Sequence, residues 1–210
     1  MKTLKLLVIA TIVCLLVGAA SAALARNDCP TGSINGGEFD QIVINNTELD
    51  PNLDCVIVGV SVGSGGVIAR NVRQFTLINS YVEGSVRVIR DDKTVDSRAT
   101  ILSNLVEGGD GRSNIVIREL LEADVRRNTV KNGNIRVIDD ENQPNQFAEV
   151  IENRIKNGNL RVNYNLTADV KDNTVVGGNI TCRDNVNTDP QDNIAVGGRI
   201  VCSRDLLPGE

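Results

Sequence analysis

The run Ala123–Val137, ADVRRNTVKNGNIRV, returns as AEVIENRIKNGNLRV from Ala148 and as ADVKDNTVVGGNITC from Ala168. It returns once more as DPQDNIAVGGRIVC from Asp189, one residue out of step. Working backwards, ATILSNLVEG from Ala99, FTLINSYVEG from Phe75 and CVIVGVSVGS from Cys55 continue the series, and SINGGEF, close to Cys29, opens it. The repetition predicts about eight units of roughly 20 to 26 residues, the period of a repeat architecture.

Stacked, the units align in apolar columns. One holds Ile57, Leu77, Ile101, Val125, Val150 and Val170; a second holds Val62, Val82, Val106, Val130, Ile155 and Val175. A third holds Val67, Val86, Ile115, Ile135, Leu160, Ile180 and Ile200. Two residues beyond it lie Val88, Ile117, Val137, Val162, Cys182 and Cys202, the alternation of a strand. Short β-branched strands broken once or twice per unit by glycine or asparagine predict an all-β fold, a single-stranded parallel β-helix in which each unit is one coil. Between the first two columns runs a polar one: Val60, Ser80, then Asn104, Asn128, Asn153, Asn173 and Asn193. Amides stacked about 4.8 Å apart are expected to hydrogen-bond coil to coil. Gly133, Gly158, Gly178 and Gly198 mark a second corner, where positive φ is expected.

Coils of this length with an asparagine ladder resemble the right-handed parallel β-helix of the pectin-lyase-like superfamily, over about residues 29–203. The resemblance is one of fold and implies coils of three sheets. Right-handed crossover is also the default for parallel strands.

The chain begins with a basic Met1–Lys5, an apolar run LLVIATIVCLLVG and small residues that give A-x-A patterns ending at Ala22 and Ala25. This is the pattern of a secretory signal peptide, residues 1–25, cleaved after Ala22 or Ala25, with residues 26–210 as the solenoid domain. Cleavage removes Lys2 and Lys5 and no acid, leaving 20 basic residues against 27 acidic, a formal charge of −7. Such a charge points away from nucleic acid and anionic lipid, and no membrane span remains after cleavage. The expected destination is extracellular, with the periplasm and the cell surface as variants of it.

Four cysteines remain beyond Cys14. Cys182 and Cys202 share a column one coil apart, within disulfide reach, and Cys29 and Cys55 form the second pair at the other end. With both ends stapled, a monomer is expected.

The chain of 210 residues has no histidine. Histidine-based nucleophile triads and the commonest near-neutral general base are therefore excluded. The central coils carry extra residues at Asp91–Arg98 (DDKTVDSR), Gly109–Ser113 and Asp139–Gln146 (DDENQPNQ). The first and third fall at one corner and bring Asp91, Asp92, Asp139, Asp140 and Glu141 together as candidate calcium ligands. Lys131 with Lys156, and Arg136 with Arg161, form an outward basic stripe suited to the carboxylates of an acidic polysaccharide. Asn45, Asn165 and Asn179 head N-x-S/T triplets.

The expected function is a secreted, non-catalytic scaffold that binds glycan or a protein partner and needs no cofactor. The family resemblance implies an alternative, a small calcium-dependent polyuronate lyase with Arg136 or Arg161 as base and Asp139 or Asp140 as cation ligands. The chain departs from that pattern: it has no Arg-x-x-Pro-x-x-Arg segment, and Tyr81 and Tyr164 are its only tyrosines to stack on sugars.

Overall fold

The computed structural model describes residues 29, 32–46, 53–90, 97–108, 113–139 and 145–203. The expected signal peptide, residues 1–25, together with Asp91, Asp92, Asp140 and Glu141, lies outside the described residues.

The protein is an all-β parallel solenoid. Side one is an eight-stranded parallel sheet running from Ser33–Asn35 through Asp54–Val58, Gln74–Ile78, Arg98–Leu102, Glu122–Arg126, Asn145–Ile151 and Asn165–Lys171 to Asn187–Gln191. Side two stacks Tyr81–Val82, Leu105–Glu107, Thr129–Lys131, Arg154–Lys156, Thr174–Val176 and Ile194–Val196. Side three stacks Val86–Ile89, Ser113–Arg118, Gly133–Ile138, Leu160–Asn163, Ile180–Arg183 and Ile200–Cys202. The register matches the sequence columns: Ile101 pairs with Val125 and Val125 with Val150, Val130 with Ile155, and Ile135 with Leu160. All of these side chains are fully buried, so like meets like through the central coils.

From Gln74 onward the chain makes about six full turns, rather than the eight that the repeats predict. The first two units lack the corner between sides two and three. Ser61–Arg70 runs through that corner as one ten-residue strand and pairs with Glu38–Asn45, with a register shift between Phe39 and Gln41. Its glycines are used to lie close on the earlier chain. A Cβ at Gly65 would stand 2.8 Å from the carbonyl oxygen of Asp40.

The glycine corner also differs from expectation. Positive φ falls one residue earlier, at Asn132 (54°), Asn157 (56°), Gly177 (74°) and Gly197 (74°). The glycine column serves close approach instead. A Cβ on Gly158 would lie 1.6 Å from the carbonyl oxygen of Gly133, and one on Gly178 would lie 1.8 Å from that of Gly158. At the first corner the left-handed residues Asn79, Ser103, Arg127, Glu152, Asp172 and Asp192 each stand immediately before a ladder position. That geometry turns the ladder amides inward. Asn104, Asn128, Asn153 and Asn173 are buried and hydrogen-bonded coil to coil.

The disulfides are Cys29–Cys55 and Cys182–Cys202, with Cα atoms 5.9 and 4.4 Å apart. Each joins one coil to the next. Such bonds fit an oxidising compartment.

Candidate functional site

Strand alternation places the basic stripe. Ile135 and Val137 point into the core, so Arg136 between them faces outward, directly beside Arg161 of the next coil. Lys131 is likewise beside Lys156 on side two. Lys131 is held by Glu107, 2.9 Å away. Lys156, Arg136 and Arg161 form no ion pair among the described residues, and all three are exposed.

Between the lysine and arginine columns the corner carries a second amide ladder, which sequence reading missed. Asn134 Nδ2 donates to Asn114 Oδ1 at 2.8 Å, and Asn159 Nδ2 to Asn134 Oδ1 at 3.1 Å. Asn179 continues it, and Asn157 Nδ2 donates to Asn132 Oδ1 alongside at 3.0 Å. The signal was present in the repeated N-G-N and G-G-N, where the residue after each glycine is asparagine. Unlike the buried ladder, this one reaches the surface at Asn157, Asn159 and Asn179. The result is a strip of fixed amides flanked by cations, repeating at the coil rise of about 4.8 Å.

Side one carries the opposite charge. Asp124, Glu149, Asp169 and Asp189 stand in one outward column, in register across four coils. Sequence reading did not single them out, because their charge is visible only once the register is fixed. Arg126 contacts both Asp124 and Glu149, and Lys171 reaches Asp189 at 2.8 Å and Asp169 at 3.4 Å. Asp124 Oδ1 and Arg126 Nε lie 2.6 Å apart without the alignment of a hydrogen bond. Burial pushes the Asp124 carboxyl above the ordinary carboxylate range, against the pull of Arg126.

The corner that carries the Asp91–Arg98 and Asp139–Gln146 insertions holds a cavity of about 250 Å³, lined by Arg73, Gln74, Ser97, Arg98, Leu121, Glu122 and Gln146. Both of its cations are paired with acids, one of which, Asp54, lies outside the lining. Arg73 grips Asp54 through two hydrogen bonds of 2.8 and 2.5 Å, and Arg98 pairs with Glu122. The Arg73 guanidinium holds the Asp54 carboxyl below its usual range.

Of the acids proposed as calcium ligands, Asp139 alone is described. It is buried at the end of Gly133–Ile138, on the inward side of a strand whose Arg136 faces out. Among the described residues no group of three or more acids, histidines or cysteines is placed to hold a metal ion. Of the three glycosylation triplets, Asn165 is fully buried and donates to Asn185 Oδ1 at 2.8 Å, whereas Asn45 and Asn179 are exposed.

Among the described residues no helix is long and apolar enough to cross a membrane. Compared with family models, with curated proteins and with solved structures, the chain gave no match.

Proposed function

We propose that this protein is a secreted, non-catalytic solenoid that binds an acidic extracellular polysaccharide along the amide strip between sides two and three. The observation that carries the reading is that Lys156, Arg136 and Arg161 are exposed and form no ion pair among the described residues, beside amides hydrogen-bonded from coil to coil. Guanidinium groups meet carboxylates with two parallel hydrogen bonds, and fixed amides offer donors to hydroxyls at no cost in side-chain ordering. One coil rises about 4.8 Å, close to the length of one sugar unit in an extended chain. A linear polyuronate lying parallel to the axis would therefore keep its repeat in step with the coils, with the carboxylates on its protein-facing side within reach of Arg136 and Arg161. The disulfides support an extracellular setting. Placement in the right-handed pectin-lyase-like superfamily belongs to this proposal and is supported by the three-sided coils and the buried asparagine ladder.

The test is titration calorimetry of the disulfide-intact mature chain with polygalacturonate, alginate and a neutral glucan. The reading expects binding to the acidic polymers alone, weakened at least about tenfold by Arg136→Ala with Arg161→Ala, a loss of about 1.4 kcal/mol. Equal affinity for the neutral glucan, or an unchanged double variant, overturns it. Unsaturated products at ultraviolet wavelengths, formed with calcium and lost in the double variant, would instead establish the lyase alternative.

A further inference from the structure

Side three presents one arginine per coil. The end of Ser61–Arg70, which pairs with Val86–Ile89, and the five strands from Val86–Ile89 to Ile180–Arg183 carry Arg70, Arg87, Arg118, Arg136, Arg161 and Arg183. None of these six strands contains an aspartate or a glutamate, in a chain with 27 acidic residues against 22 basic ones. All six arginines are exposed, and none forms an ion pair among the described residues. On side one, by contrast, Arg73, Arg98, Arg126 and Lys171 are each held by a carboxylate.

The register divides the six between two outward columns. One runs Ile68, Arg87, Val116, Arg136, Arg161, Thr181. The other lies two residues further along each strand and runs Arg70, Ile89, Arg118, Ile138, Asn163, Arg183. Over the first four coils the arginine changes column at every step, and Ile68, Ile89, Val116 and Ile138 hold the alternate places. Arg161 then follows Arg136 in the same column, and Arg183 returns to the second. The columns are about 6.6 Å apart along the strand and the coils about 4.8 Å apart along the axis, so the guanidinium groups form a zigzag file.

Like charges spaced at about the screening length of physiological salt, with no acid among them, build a positive potential along the whole face. Such a file favours one long polyanion over scattered single ions. The same six strands contain no phenylalanine, tyrosine or tryptophan. Single-stranded nucleic acid is held by aromatic platforms for its bases as well as by cations for its phosphates, and the face has only the cations. Guanidinium groups interleaved with aliphatic side chains suit the carboxylates and C–H surfaces of an acidic sugar chain.

We propose that the outer face of side three is the bed of a 1,4-linked polyuronate in its flat twofold form, lying along the axis over six coils. This rests on the reading that Arg136 and Arg161 meet carboxylates, and it extends the site to Arg70, Arg87, Arg118 and Arg183. In a twofold ribbon each sugar is turned by half a turn from the one before, so the carboxylates alternate between the two edges. The zigzag offers guanidinium groups at alternate edges in the same order, and the aliphatic places between them lie under the rings. From Arg70 to Arg183 the file spans five coil rises, about 24 Å, room for about six sugars. The surface amides Asn134 and Asn159, two residues before Arg136 and Arg161, flank one edge of the bed.

Titration calorimetry of the disulfide-intact mature chain with 1,4-linked uronate oligomers of increasing length measures the bed without any substitution. The expected affinity climbs with each added sugar and levels off near about six, one per coil. Levelling off at a disaccharide or trisaccharide overturns the extended bed and leaves the polyuronate reading at Arg136 and Arg161 standing. Arg70→Gln with Arg118→Gln should weaken the long oligomers at least about tenfold, as should Arg87→Gln with Arg136→Gln. All four side chains face outward, so the circular dichroism of both variants should be unchanged. Losses confined to the Arg87 and Arg136 pair overturn the alternation between edges. An oligothymidylate held as tightly as a uronate oligomer of equal length overturns the proposal in favour of a general anion surface. Absence of binding by every uronate removes the proposal and the reading beneath it together.

Discussion

Asn128 holds Asn104 by two hydrogen bonds at once: its Oδ1 accepts from the Asn104 backbone N–H at 2.9 Å and from Nδ2 at 3.0 Å. Its own Nδ2 donates to the Ile101 carbonyl at 2.7 Å and to Asn153 Oδ1 at 3.1 Å. Asn128→Ala therefore strands an N–H and a carbonyl in a dry interior. At about 1–3 kcal/mol for each unsatisfied group, the expected loss is about 3 kcal/mol or more. Ser80→Ala, at the end of the ladder, removes only a 2.9 Å bond to Ile78 and a 3.3 Å bond from Val60, and should cost about 1 kcal/mol. Urea denaturation followed by circular dichroism separates the two, and equal costs would show that the ladder is not cooperative in the way described.

Gly158→Ala forces a methyl group into the carbonyl of Gly133, against backbone that cannot step aside. The expected cost is about 3 kcal/mol, at the upper end of overpacking. Gly177→Asn should be nearly neutral, within about 0.5 kcal/mol. Asparagine already occupies the equivalent left-handed position at 157, and the new Cβ comes closest to the Asn157 amide oxygen, at 3.2 Å, with the Asn157 backbone at 3.8 Å or more. Thermal midpoints of the two variants measure the contrast.

Acid should act on two carboxylates in opposite directions. Asp54 is held below its ordinary value by Arg73, so its contribution is present above the unfolded value of about 3.9 and is lost as pH falls through the folded value. Asp124 is raised by burial, so it opposes folding at neutral pH, and that opposition is relieved as pH falls through its folded value. Asp54→Asn should lower stability at pH 7 and flatten the acid limb. Asp124→Asn should raise stability at pH 7, since Arg126 keeps Glu149. Denaturation midpoints between about pH 2 and pH 7 read both. An Asp124→Asn variant weaker than wild type at neutral pH would show that its contact with Arg126 outweighs burial.

Removing either disulfide should cost about 3 kcal/mol, by the chain-entropy treatment for loops of this size. The separations are 26 residues for Cys29–Cys55 and 20 for Cys182–Cys202, so the two losses should be similar. Single Cys→Ala pairs, unfolded in guanidinium with and without reductant, give each value.

Sequence alone was enough to assign the inward columns, because a β-branched residue such as Val130 or Ile155 recurs at the same offset and stacking buries like on like. The buried ladder and both disulfides followed from the same alignment. The turn count did not, because a strand such as Ser61–Arg70 keeps its apolar alternation whether or not the chain bends within it. The corner glycines were seen but given the wrong task, since positive φ and close approach both select glycine and only coordinates tell them apart. The stripe of Arg136 and Arg161 was legible from alternation. The carboxylates from Asp124 to Asp189 and the cavity beside Arg73 needed the register and the corner geometry.

The long buried ladder and the surface ladder run in opposite senses, while the buried pair Asn165 and Asn185 follows the sense of the first. In the buried one the backbone N–H and Nδ2 of Asn128 and Asn153 donate toward the C-terminal coil. In the surface one, Asn159 and Asn179 donate back toward the N-terminal coil. The amide dipoles of the long buried ladder and the surface ladder therefore oppose each other along the axis, and sheets add little net moment of their own. What tells one end of the column from the other is therefore the side chains that each presents, as where Arg154, Lys156 and Arg161 give way to Ile194, Val196 and Val201 along the axis.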